Sequence, residues 1–141
     1  MDITLSISNA EIQKALKAFN RYSKQKQAAI RNQTVKSAYA VHAEAVNNCP
    51  VRTGRLRSSL HVKTDANNGW SYSDKEGQSF NGSLDVYVTK GSAVVGTNVE
   101  YASDVEYGEV HTKNGLQPFL APAAEREKPR YINAITQILR Q

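Results

Sequence analysis

The sequence predicts an α+β fold: a long N-terminal helix packed on a small, mainly antiparallel sheet, with short helices and a C-terminal helix. Three observations lead there. Residues 9–48 contain neither glycine nor proline, stretches near residues 3–7 and 84–89 alternate along the chain with a period of two, and Pro50 stops the helical run abruptly. At 141 residues and 15.6 kDa a single domain with one core is expected.

In chain order, Ile3, Leu5 and Ile7 form one face of a strand. Ser8 and Glu11 then have capping-box spacing ahead of a long helix or two helices in line. Ile12, Leu16, Phe19, Ile30 and Val41 mark its apolar positions, and the polar stretch Ser23-Lys24-Gln25-Lys26-Gln27 either exposes its middle or breaks it. Unbroken, ~40 residues would reach about 60 Å, longer than a domain of this size is wide. After Cys49-Pro50 the chain must turn. Thr53 is a candidate N-cap, and Leu56 and Leu60 form a short apolar stripe for a helix over 53–60, with Arg52, Arg55 and Arg57 around it. Unpaired guanidinium groups are too costly to bury, so these arginines face water, a carboxylate or a phosphate.

Residues 61–64 fit a strand. Residues 65–83 have loop composition with Trp70, Tyr72 and Phe80 set into it, and are too long for an ordinary connection. A flexible hairpin around Lys75-Glu76-Gly77 is expected, its aromatics either covering a core edge or docking on a neighbouring molecule. Leu84, Val86 and Val88 alternate with Asp85, Tyr87 and Thr89, then Lys90-Gly91-Ser92 turns the chain towards 93–96, which predicts a hairpin. A short helix near 99–107 would place Tyr101, Ala102 and Val105 inward, Glu100, Asp104, Glu106 and Glu109 outward, and Gly108 at its end. Lys113-Asn114-Gly115 reads as a turn. Pro122 suits a helix start, Pro129 is expected to interrupt that helix, and Tyr131, Ile132, Ile135, Ile138 and Leu139 supply an amphipathic final helix.

Charge is divided along the chain: residues 1–63 hold 11 Lys/Arg and 3 Asp/Glu (+8), and residues 64–141 hold 7 and 10 (−3). A basic half attracts nucleic acid, and a basic half beside an acidic half equally attracts another copy of the chain. Lys14, Lys17, Arg21, Lys24, Lys26, Arg31 and Lys36 read as a solvated helix face, while non-specific DNA contact, which needs only charge, stays open. No apolar run approaches the roughly 18 residues of a membrane span, and the N-terminus lacks the pattern of a signal peptide. The lone Cys49 cannot form an internal disulfide and reads as a buried structural residue. His42, His61 and His111 lack metal-ligand spacing, and no phosphate-cradling glycine loop is present, so neither a catalytic site nor a metal or other cofactor is expected.

Three pieces in order carry a resemblance: Cys49-Pro50-Val51-Arg52-Thr53-Gly54-Arg55-Leu56-Arg57-Ser58-Ser59-Leu60, then Val95-Gly96-Thr97-Asn98-Val99-Glu100-Tyr101-Ala102-Ser103-Asp104-Val105-Glu106-Tyr107-Gly108, then Gln117-Pro118-Phe119-Leu120-Ala121-Pro122-Ala123. Together, over about residues 40–125, the chain resembles the head-tail joining, or tail-completion, family of long-tailed bacteriophages and prophages. Arg52, where many relatives carry Asp, and the aromatic arm 65–83 depart from the pattern. The resemblance implies a non-enzymatic α+β subunit of the virion neck or tail, assembled in the host cytoplasm into a ring, sixfold at the family level, between portal complex and tail tube. In such a ring Arg52, Arg55 or Arg57 would meet Glu100, Asp104 or Glu106 of the next copy, with pairing inside one subunit as the alternative, and the arm with Trp70, Tyr72 and Phe80 would be a further contact. The rivals are a tail-terminator ring, a small basic DNA-binding protein and a metal-dependent nuclease.

Overall fold

The computed structural model describes residues 3–4, 14, 17–51, 54–65, 69–107 and 118–141. Among these the elements are β1 (Ile3–Thr4), α1 (Lys24–Asn48), α2 (Arg55–Ser59), β2 (His61–Thr64), β3 (Gly69–Ser73), β4 (Ser79–Ser83), β5 (Ala93–Thr97), α3 (Ala102–Tyr107) and α4 (Ala121–Arg140). This is the expected α+β architecture. Leu5, Ile7, the Ser8/Glu11 capping box, Thr53, Gly108 and the turn at 113–115 lie outside the described residues.

The polar stretch near residue 23 breaks the N-terminal helical run. Residues 17–19 are helical, the chain turns at 20–22, and α1 starts afresh at Lys24. Ser23 is extended and its hydroxyl accepts the Lys26 N–H at 3.2 Å, so the new helix brings its own cap. α1 stops at Asn48 with Cys49 extended, as the proline at 50 requires. Its buried residues are the small Ser37, Ala38 and Ala45, which let the helix backbone lie close to its neighbours.

α4 packs antiparallel along α1. Glu44 meets Arg126 at 2.7 Å, Thr34 and Tyr131 share a 2.8 Å hydrogen bond, and the Lys26 ammonium donates to the Leu139 carbonyl at 3.1 Å. That last contact places a cation at the negative end of α4. The expected interruption at Pro129 does not occur, for α4 runs unbroken from Ala121 to Arg140. Pro129 and Glu125, the residue whose carbonyl loses its helical donor, are both exposed, so water can satisfy that carbonyl.

Three strands form an antiparallel sheet in the order β1-β5-β2, with Ile3 opposite Thr97 and Val62 opposite Val95. The predicted pairing of 84–88 with 93–96 is not made. β5 takes β1 and β2 as its neighbours instead, and 84–88 runs as irregular chain. β3 and β4 form a separate hairpin with Tyr72 opposite Phe80. Its turn lies at the expected place: the Asp74 carboxylate accepts the N–H groups of Glu76 and Gln78, each at 2.9 Å, and Gly77 takes a φ of 82°.

Leu56, Leu60, Val62, Tyr72, Val95, Val99, Ala102, Phe119, Leu120 and Ala123 make the core, joined by Ala38, Ala45 and Cys49 from the α1 side. Burial pushes the Cys49 thiol up to about 11, which makes it a poor nucleophile.

Candidate assembly surface

The corner after Pro50 is built on Gly54. It precedes α2 with a φ of 81°, and a Cβ there would sit 3.2 Å from Cγ of Lys75 in the hairpin turn. α2 therefore starts without a side-chain cap from its own N-cap residue, and the glycine serves two purposes: a left-handed turn and close approach of the hairpin. Leu56 and Leu60 point into the core as their spacing predicts.

On the same corner Arg55 makes a two-pronged ion pair with Glu100, at 3.0 and 3.1 Å. Its guanidinium also lies 4.4 Å from the ring centre of Phe80 and 5.8 Å from that of Tyr101. The hydrogen bond to Glu100 raises the Arg55 pKa. The Glu100 pKa is lowered, first by a backbone hydrogen bond and then by Arg55. Arg55 and Glu100 thus pair within one chain.

The hairpin aromatics turn inward. Tyr72 is buried, and Trp70 and Phe80 pack against the core. Tyr72 and Phe80 stack with centroids 5.4 Å apart, and Trp70 lies 4.1 Å from His61 at an interplanar angle of 11°. Burial, and secondarily the charge of His42, depress the His61 pKa. Asn98 fastens the hairpin: its side-chain carbonyl accepts the Tyr72 hydroxyl at 3.2 Å, and its amide donates to the Asn81 carbonyl at 3.1 Å. Asn98 is thus a clamp between hairpin and sheet. Thr97 accepts the Val99 N–H at 3.1 Å and shares a hydrogen bond with Ser59, tying β5 to α2.

Glu106 does not lie on the outward acidic face where the sequence reading places it. It is 4 % exposed, and its carboxylate accepts three backbone N–H groups: Phe119 at 2.8 Å and Leu120 at 3.0 Å on one oxygen, Ala121 at 2.7 Å on the other. The chain enters α4 through Phe119-Leu120-Ala121-Pro122, which contains no Ser, Thr, Asp or Asn to cap it. The unmet donors of the first turn, and the positive end of the helix, are satisfied by a carboxylate from α3 instead. Two sequence signals point to this: the missing cap, and the i, i+4 spacing that puts Glu106 on the same face as inward Ala102.

Of the predicted contact residues, the fold therefore gathers Arg55, Tyr72, Phe80 and Glu100 at one corner, with Trp70 on the same hairpin. Glu106 is internal, Asp104 is half-buried on α3 and Arg57 is exposed on α2. Arg52 lies outside the described residues. Sequence reasoning missed Tyr87 and Tyr107, which are 88 % and 68 % exposed and are the most exposed large apolar side chains described. An open groove of about 280 Å³ is lined by Glu44, Asn48, Pro118, Pro122 and Arg126. Among the described residues no three His, Cys, Asp or Glu side chains are grouped to hold a metal ion, and no helix is long and apolar enough to cross a membrane.

Residues 13–108 match the family described as "Bacteriophage HK97-gp10, putative tail-component". The chain belongs to this phage family. The matched span runs from the N-terminal helical region through α3, and so includes the Gly54 corner, the hairpin and Glu106. No curated protein and no solved structure gives a significant match.

Proposed function

We propose that the chain is a non-enzymatic structural component of the head-tail junction of a long-tailed phage. Copies of it join head to tail in a ring, expected to be sixfold, around the DNA passage. Neck or connector proteins and tail-tube proteins are its neighbours in the virion, after assembly in the host cytoplasm. The observation that carries this reading is family membership over residues 13–108. Two features support it. The +8 and −3 parts of the chain favour contact between unlike surfaces of successive copies, and such contacts close into rings when the rotation permits. The polar groups with the best-made partners, Glu106, Arg55 and Glu100, are engaged in holding elements together. Arg57 and the two exposed tyrosines face outward.

Light scattering of the purified chain across salt concentration, together with mass spectrometry of phage particles, tests the proposal. A ring, or salt-dependent growth towards one, and presence in the particle are expected. Absence from the particle, with tight salt-sensitive DNA binding by a chain that remains a monomer, would replace it with the basic DNA-binding reading.

A further inference from the structure

Residues 84–88 are where composition and conformation disagree most. Leu84-Asp85-Val86-Tyr87-Val88 has the β-branched content and alternation of a strand, and Leu84 and Val88 are buried, yet among the described residues it joins no ladder. Tyr87 stands 88 % exposed between half-buried Val86 and buried Val88. The carbonyls of Leu84 and Val86 both accept from the ammonium of Lys63. Carbonyls two residues apart point the same way in a strand, so a single amine occupies positions that a neighbouring strand would otherwise fill. Lys63 belongs to β2, the outer strand of the three-stranded sheet.

We propose that residues 84–88 are an assembly strand whose partner is a second copy of this chain. On contact the Lys63 ammonium gives way, the carbonyls of Leu84 and Val86 pair with backbone N–H groups of an extended segment in the neighbour, and Tyr87 becomes buried. Release of Lys63 needs only side-chain rotation, and until then its charge guards the segment against premature pairing, as edge lysines do elsewhere. Charge selects the occupant: the segment lies in the −3 part of the chain, and the +8 part of another copy is the complementary surface present at equal concentration. The proposal rests on the self-assembly reading above.

Hydrogen exchange of the full chain, followed by mass spectrometry in dispersed and assembled states, tests it. Amides of Val86 and Val88, which share the edge of the two carbonyls, should slow by about tenfold or more on assembly while those of β5 stay unchanged. Tyr87→Asp should keep the wild-type melting temperature and raise the concentration needed for assembly by at least about tenfold, and Tyr87→Phe should leave it unchanged. Protection of the Val86 and Val88 amides already present in the dispersed chain would overturn the proposal, as would assembly in which their exchange does not slow. Normal assembly by Tyr87→Asp would also overturn it, and in each of these cases the self-assembly reading survives. A chain that stays dispersed at every salt and protein concentration would overturn both.

Discussion

The junction of α3 with α4 and the junction of α2 with the turn that leads into α3 are each held by a glutamate, six residues apart in sequence, and the two work in opposite surroundings. Glu106 is buried and meets three backbone donors. Glu100 has a side chain 67 % exposed and meets one arginine, with water close at hand. Burial sets the value of a carboxylate, because a donor stranded away from water carries its whole desolvation penalty while an exposed one regains a solvent bond. The first junction should therefore be structural cement and the second a weak, salt-sensitive clasp.

The strongest way to break the comparison is Glu106→Ala against Glu100→Ala under urea denaturation. We expect Glu106→Ala to lose about 3 kcal/mol or more, because three N–H groups at a buried helix start lose their acceptor, and Glu100→Ala to lose at most about 1 kcal/mol. Comparable losses would sink the contrast. Glu106→Gln, which keeps a single acceptor oxygen, should fall between wild type and Glu106→Ala.

Hairpin docking is probed next by Gly82→Ala. A Cβ at Gly82 would overlap the Trp70 indole, so the ring must leave its place on His61, at an expected cost of about 1 to 3 kcal/mol. Loss of Trp70 fluorescence shift in the folded protein would report the movement, and an unchanged spectrum would argue that the hairpin face is not packed in this way. Smaller still, a double-mutant cycle on Arg55 and Glu100 should give a coupling of about 0.2 to 1 kcal/mol that shrinks in high salt. A coupling above about 2 kcal/mol that is indifferent to salt would move this pair into the class of Glu106.

The smallest effect is in pH. A depressed His61 pKa means that the unfolded chain binds its proton first as pH falls. The stability tied to neutral His61 is therefore present above the ordinary value of 6.5 and is lost as pH drops from there through the lower folded value. Melting temperature should decline over that interval in the wild type and decline less in His61→Phe, which retains an aromatic ring against Trp70. Identical profiles would remove His61 as the cause.

The helix stop at Pro50, the Leu56/Leu60 stripe, the strand at 61–64, the hairpin turn near Gly77 and the buried Cys49 were all legible because each depends on local rules: a missing donor, a spacing, a turn residue. The resemblance carried by the Gly54 corner and the 95–108 segment pointed to a phage assembly family for the same reason, since its pieces are short and contiguous. At the assembly surface the candidate residues were legible as types, but their partners were not.

From sequence alone came the α+β class, the divided charge, the family and the sites where the chain has to turn. Tertiary structure alone decided that α1 starts anew after Ser23, that β5 takes β1 and β2 as neighbours and leaves 84–88 outside the ladders of the described residues, that Pro129 is carried within α4, and that Glu106 faces inward. Each of these outcomes depends on competition between segments distant in the chain for the same backbone donors, acceptors and buried space, and local pattern contains no term for that competition.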